Sequence, residues 1–351
     1  MFTSRSRLFS LLLALAVFFL SFAAAAPQRN QNGRQGRGGG GGGQSARDKA
    51  IAQQPERNFQ TQDGSTVLDT TQQINGLPIR FRVSAPAEAF TQNSGIQGAQ
   101  ATPGSAGNLG INVLLHGDGG QSFFEFPNQG VNDNLMGVAV LSPDQNLKWG
   151  GGDRGNQQRV DGVAHAQAVA DLITKVMPQM VAFDPNNVAF TGVSGGSLML
   201  SGFLMPAHMG QFQNSKVLLN CGGLKPQVQF TQQAQAAMAN TRIHWQSSFN
   251  ELESLQQSIP PAIKAYEQVG QQAGLNNQQL GALQTVNNAP KGGHCAFDEK
   301  SFNSGVQLMA DSFGDVMLDG GNGQLGNFAF GDVRQSVVGN ENLRFGQEKR
   351  Q

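Results

Sequence analysis

The chain has 351 residues, with 24 basic and 24 acidic side chains, so its formal charge is zero. That balance gives no electrostatic basis for holding nucleic acid, whose phosphates demand a basic surface. Glycine is abundant at 46 residues, so a short glycine motif needs supporting context before it counts as a signal.

Residues 1–25 combine a basic start (Arg5, Arg7), a long apolar run and a closing stretch of alanines. This is the layout of a secretory signal peptide. A membrane anchor fits less well, because small residues close the run and no basic flank follows it directly. Cleavage after Ala25 or Ala26 removes two arginines and no acid, leaving a net charge near −2. The expected product is secreted and extracellular, possible wall association included, with no membrane or nucleic acid partner. Residues 26–65 are rich in Gly, Gln, Arg and Asn and poor in apolar residues, which predicts a disordered linker or pro-segment. Residues 66–318 are long enough for one large domain, and 319–351 read as a glycine-rich flexible tail.

In chain order the domain opens with "STVLDTTQQI" and "LPIRFRVSAP" around Asn75-Gly76, a pair suited to a two-residue hairpin turn. "GINVLL" and "LMGVAVL" follow as apolar strand runs, and "VDGVAHAQAVADLITKVM" carries helical spacing. "NNVAF" is a short strand leading into Gly192-Val-Ser194-Gly-Gly196, with the helix-like "SLMLSGFLM" after it. "SKVLLN" and "TRIHWQ" are further strands. "QFTQQAQAAMA" and "ESLQQSIPPAIKAYEQVGQQAGL" are helical, the second with an expected interruption at Pro260-Pro261. Strands alternating with helices predict an α/β fold, a mostly parallel central sheet with helices on both faces. The glycine-rich polar segments all fall at strand ends, where such sheets place their chemistry.

A G-x-S-x-G segment between strand and helix is the pattern of a nucleophile elbow, and it makes Ser194 the candidate nucleophile. The N–H of Gly195 would face the oxygen of a tetrahedral intermediate. A second donor is expected from "HGDGG", at Asp118 or Gly119. The general base should come late in the chain, which points to His294 in "PKGGHCAFD". His116 would hold the oxyanion loop, while His165, His208 and His244 lie in helical or strand patterns. No aspartate separates Ser194 from His294. Glu251, just after "RIHWQ", is therefore the first candidate for the acid, with Glu253, Asn250 and the earlier Asp161 remaining. Phe123, Phe124 and Phe126, with Trp149, either line an acyl pocket or belong to the core. Two cysteines in a secreted chain suggest one bridge, Cys221 to Cys295, worth up to about 4 kcal/mol. The five histidines and two cysteines show no metal-ligand motif such as HExxH or CxxC, so no metal or cofactor is expected.

The run of "LLHGDGG", "VAFTGVSGGS", "RIHWQSSFNEL" and "GGHCAFD" resembles the α/β-hydrolase superfamily. It is most similar to the secreted polyester-depolymerase, feruloyl-esterase and acetylxylan-esterase branch, over roughly residues 66–318. A looser resemblance is to secreted fungal chains labelled "cyclin-like F-box", although no residue here corresponds to a cyclin or an F-box. The main resemblance implies an α/β-hydrolase fold and a serine esterase acting on small or polymeric esters through an acyl-enzyme. Ser194 would be its nucleophile, His294 its base, and Gly195 with the Asp118 region its oxyanion hole. The chain departs from that branch at the acid, where aspartate is usual. A weakly active or inactive hydrolase-fold binding protein is the alternative.

Overall fold

The computed structural model describes residues 44–124, 130–152 and 158–347. The expected signal peptide and the first part of the linker lie outside the described residues, as does Phe126. Helix α1 (Ala46–Gln53) is capped by the Ser45 side chain, and Arg47 donates to the carbonyls of Pro78 and Pro143. Strand β1 (Phe59–Gln60) pairs with β2 (Thr66–Ile74). The body of the protein thus begins well before residue 66, because backbone pairing and one long arginine secure a segment with few apolar residues.

β2 and β3 (Leu77–Ala85) form the expected hairpin across Asn75-Gly76, both at positive φ. β4 (Gly110–Leu115) leads to a short α2 (Gln121–Phe124), then β5 (Val131–Asn132) and β6 (Leu135–Leu141). α3 (Gly162–Asp171) passes through a wider turn at Leu172–Val176 into α4 (Met177–Met180). After β7 (Val188–Val193), α5 (Gly195–Met199) runs through a similar turn at Leu200–Leu204 into α6 (Met205–His208). Both wide turns precede a proline, Pro178 or Pro206, whose missing N–H disrupts regular helical bonding.

β8 (Lys216–Asn220), α7 (Gln232–Ala237) and β9 (Arg242–Gln246) follow. α8 (Glu253–Gln272) runs unbroken through Pro260 and Pro261, against expectation. The carbonyls those prolines leave without a donor belong to the half-buried Gln256 and the exposed Gln257. Burial of Ile259, Ala262, Ile263 and Tyr266 fixes the opposite face. α9 (Asn277–Leu283), β10 (Gln284–Asn287), α10 (Phe302–Asp311), α11 (Phe313–Met317) and β11 (Gln335–Ser336) complete the described chain.

The sheet order is β1-β2-β3-β6-β4-β7-β8-β9-β10-β11, with β5 beside β6. From β6 to β10 the strands are parallel; the hairpin and β11 add antiparallel edges. Alternate residues feed opposite faces. Ile111, Val113 and Leu115 join one core cluster, and Leu114 joins the other. This topology, with its serine turn at the end of the central strand β7, is an α/β-hydrolase fold. Among the described residues no helix is long and apolar enough to cross a membrane.

The segment read as a flexible tail is anchored instead. Leu325, Val333 and Val337 are buried, and β11 pairs with β10. A few well-placed apolar residues suffice where composition alone suggested disorder. Further on, Gly346 N–H donates to Phe249 O (2.8 Å), its carbonyl accepts from Gln256 (3.2 Å), and Arg344 O accepts from Asn288 (2.8 Å).

Candidate active site

Five adjacent parallel strands, β4, β7, β8, β9 and β10, end on the same side of the sheet, and each hands one segment to the site. Ser194 closes β7 at φ 50° and ψ −112°, and α5 begins immediately after it. Such a backbone is strained for a residue with a side chain and is held only by its surroundings. Two glycines make the turn possible. A Cβ on Gly192 would lie 2.6 Å from Ser197 N, and one on Gly196 would lie 2.0 Å from Leu115 O. The Ser194 N–H and the Ser197 hydroxyl both donate to Asn220 O, at 2.9 and 2.8 Å, which fastens the turn to β8.

His294 lies between Ser194 and Glu251. Its Nε2 is 3.0 Å from Ser194 Oγ, and its Nδ1 is 2.5 Å from Glu251 Oε1. The Glu251 side chain is fully buried, and Oε1 also accepts the Leu252 N–H at 2.8 Å. The structure therefore brings together Ser194, His294 and Glu251. Asn250 turns away and donates to Lys291 O, while Glu253 is exposed at the start of α8. Asp161 precedes α3, where an added Cβ on Gly151 would meet its Oδ2.

The loops that carry Glu251 and His294 are stitched together. Ser247 N–H donates to Asn287 O (2.8 Å), Phe249 N–H to Pro290 O (2.6 Å), and Ser248 Oγ to Gly293 O (2.7 Å). Cys221, at the end of β8, is bridged to Cys295, with Cα atoms 5.1 Å apart across 74 positions of sequence. Cys221 and Cys295 are close enough to His294 to resemble a metal-ligand set, but both sulfurs are committed to the bridge. Replacing both cysteines with serine is expected to lower stability by about 2–4 kcal/mol, read from urea midpoints. Because Cys295 adjoins His294, loss of the bridge should also loosen the position of that imidazole in protein that remains folded.

The Gly195 N–H opens α5 and has no preceding helical carbonyl to meet. Asp118 N lies 3.0 Å from the place a Gly195 Cβ would take, so the Asp118 amide packs against Gly195. Gly119 is not the second donor, because its N–H is spent on Leu147 O at 3.0 Å. His116 secures this loop from within. Its Nδ1 lies 2.6 Å from Gly117 O, and its Nε2 accepts the Ser142 N–H at 2.9 Å.

Burial pushes the imidazoles of His116 and His244 down to about 4, and lowers those of His165 and His208 as well. An unfolded histidine titrates near 6.5, so on acidification the unfolded chain takes up these protons first. Their contribution to stability is complete above about pH 6.5 and is lost as pH falls toward about 4. Each of the two most buried groups accounts for roughly 3 kcal/mol at most. The urea midpoint should therefore drop steeply between pH 7 and pH 4.5; a flat profile would show that these rings are not neutral in the fold.

The aromatic candidates split. Phe123 and Trp149 are buried and belong to the core, not to an open acyl pocket. Phe123 packs edge-on against Phe124, with the Arg82 guanidinium 4.9 Å from its ring centre. The Trp149 ring lies 5.3 Å from that of His116. Phe124 lines a cavity with Arg57, Phe59 and Arg82. A separate cavity of about 50 Å³ is lined by Asn112, Thr191, Asn220 and Phe313, and Ser194, His294 and Glu251 take no part in it.

Three side chains beside the site carry no sequence signal of their own. Phe302, at the start of α10, has its ring 5.7 Å from that of His294 and would meet a Cβ on Gly117 at 3.5 Å. Ser248 sits 3.5 Å from Glu251 Oε2. Arg159 pairs with Asp118, Nη2 to Oδ2, at 2.9 Å.

No protein-family model and no curated protein matches the chain. Solved structures similar to it include a thermostable esterase at 15% identity and a TM-score of 0.45, covering 70% of this chain and 59% of that one. The chain thus spans less than two thirds of that esterase. A cold-adapted esterase from an Arctic intertidal metagenomic library is 13% identical, with a TM-score of 0.39, over 73% of this chain and 96% of the other. The feruloyl esterase module from Clostridium thermocellum is 11% identical, with a TM-score of 0.38, over 60% and 78%. Likeness at this level says nothing of this chain's chemistry.

Proposed function

We propose that the protein is a secreted serine esterase that hydrolyses carboxylic esters, small or polymeric, through an acyl-enzyme. The observation that carries this reading is the relay from Ser194 through His294 to the buried Glu251, with its serine on a strained turn at a helix start. Ser194 Oγ attacks the ester carbonyl while His294 Nε2 takes its proton. Glu251 fixes the tautomer with Nδ1 protonated and stabilises the imidazolium that forms. The N–H groups of Gly195 and Asp118 receive the oxyanion. His294 then protonates the leaving alcohol, and water, activated by the same imidazole, releases the acid. Each step uses side chains and amides of this chain and requires no cofactor.

Secretion is supported by the signal-peptide layout of residues 1–25 and by the bridge, a feature of oxidising compartments. The test is treatment with a fluorophosphonate followed by peptide mass analysis, together with hydrolysis of short acyl esters. A single adduct on the Ser194 peptide and measurable turnover are expected. A wild-type protein that neither labels nor hydrolyses would refute the esterase reading.

A further inference from the structure

We propose that Arg159 is a positioning residue of the oxyanion hole, holding and neutralising the Asp118 carboxylate beside the amides that receive the oxyanion. The inference rests on the serine-esterase reading above. Asp118 occupies an unusual place for an acid. A Cβ added to Gly195 would lie 2.0 Å from Asp118 Oδ1 as well as 3.0 Å from Asp118 N. Carboxylate and amide of the same residue therefore both pack against the residue that follows the nucleophile. An unpaired negative side chain there would oppose the charge that develops on the substrate oxygen.

The Arg159 guanidinium meets it as a fork, Nη2 to Oδ2 at 2.9 Å and Nη1 to Oδ1 at 3.2 Å. The Trp149 N–H adds a third contact to Oδ1 at 3.2 Å, and Arg159 Nη1 also donates to the Trp149 carbonyl. These bonds fix the carboxylate and, through it, the direction of the Asp118 amide. Accessibility differs sharply across the pair: the Arg159 side chain is 4% exposed and that of Asp118 is 36% exposed. The cation is supplied from the protein side and the anion keeps contact with solvent. Burying a guanidinium is costly, and a pair with one solvated partner returns little to stability. A catalytic return accounts for that placement.

Negative charge on the reacting oxygen is largely confined to the transition state, so losing the cation should lower kcat while KM changes little. The experiment is a cycle on a short acyl ester with Arg159→Gln, Asp118→Asn and the double variant. Arg159→Gln is expected to lower kcat by about tenfold or more with KM within about threefold. In the Asp118→Asn background the same replacement should cost less than about threefold, because no carboxylate is left to neutralise. Affinity for an alkyl boronic acid, whose serine adduct is a tetrahedral anion, should follow kcat/KM across the four proteins.

An equal loss in both backgrounds overturns the proposal, as does a loss carried by KM or by the unfolding midpoint alone. If Arg159→Gln does not fold, Arg159→Lys takes its place in the cycle, with a smaller loss and the same dependence on Asp118 expected. A wild-type protein that hydrolyses esters but shows no coupling refutes this inference alone. A wild-type protein without activity refutes the reading beneath it.

Discussion

Ser194→Ala should be a folded protein that takes up no fluorophosphonate and hydrolyses esters at least about 10³-fold more slowly than wild type. The change removes one oxygen. It leaves Gly192 and Gly196 in their close contacts with Ser197 and Leu115, so the turn at the end of β7 retains its steric basis. Circular dichroism and the urea midpoint should accordingly be close to wild type. Any residual rate would come from substrate held against the amides of Gly195 and Asp118, without a nucleophile. A Ser194→Ala protein with undiminished turnover would place the chemistry elsewhere in the molecule.

Glu251→Gln tests the relay at its far end and should cost about 10²–10⁴ in kcat. The amide is nearly isosteric, and its oxygen can still accept from Leu252 N–H and from His294 Nδ1. In the proposed mechanism, what disappears is the carboxylate that would stabilise the imidazolium formed when His294 takes the serine proton. KM should therefore change far less than kcat, and the fluorophosphonate reaction should slow in parallel. Full activity in this variant would remove Glu251 from the mechanism without touching Ser194 or His294.

Much of this arrangement could be read from sequence because its demands are local. A serine turn needs small residues two positions to either side, an apolar strand before it and a helix after it, and Phe190–Leu200 displays all three. His294 was findable by chain order and by its glycine-flanked loop. Glu251 stood first among several candidates only because it follows a strand, and the stitched loops 247–251 and 287–293 decide the geometry. Arg159 and Phe302 reach the site from distant segments, where neither periodicity nor spacing marks them. β10 carries almost no sequence signal, because "QTVN" is too short and too polar to register as a buried strand, yet it lies between β9 and β11. The two ends misled for a related reason. Composition measures how many apolar residues a segment has, whereas anchoring depends on whether a few of them, such as Val333 and Val337, find the core.

The docking of Gly346 against Phe249 ties two remote parts of the chain together. The loop that carries Glu251 is braced by residues 344–346, a segment far along the chain from it, so loosening that segment would slacken the loop while leaving the central sheet untouched.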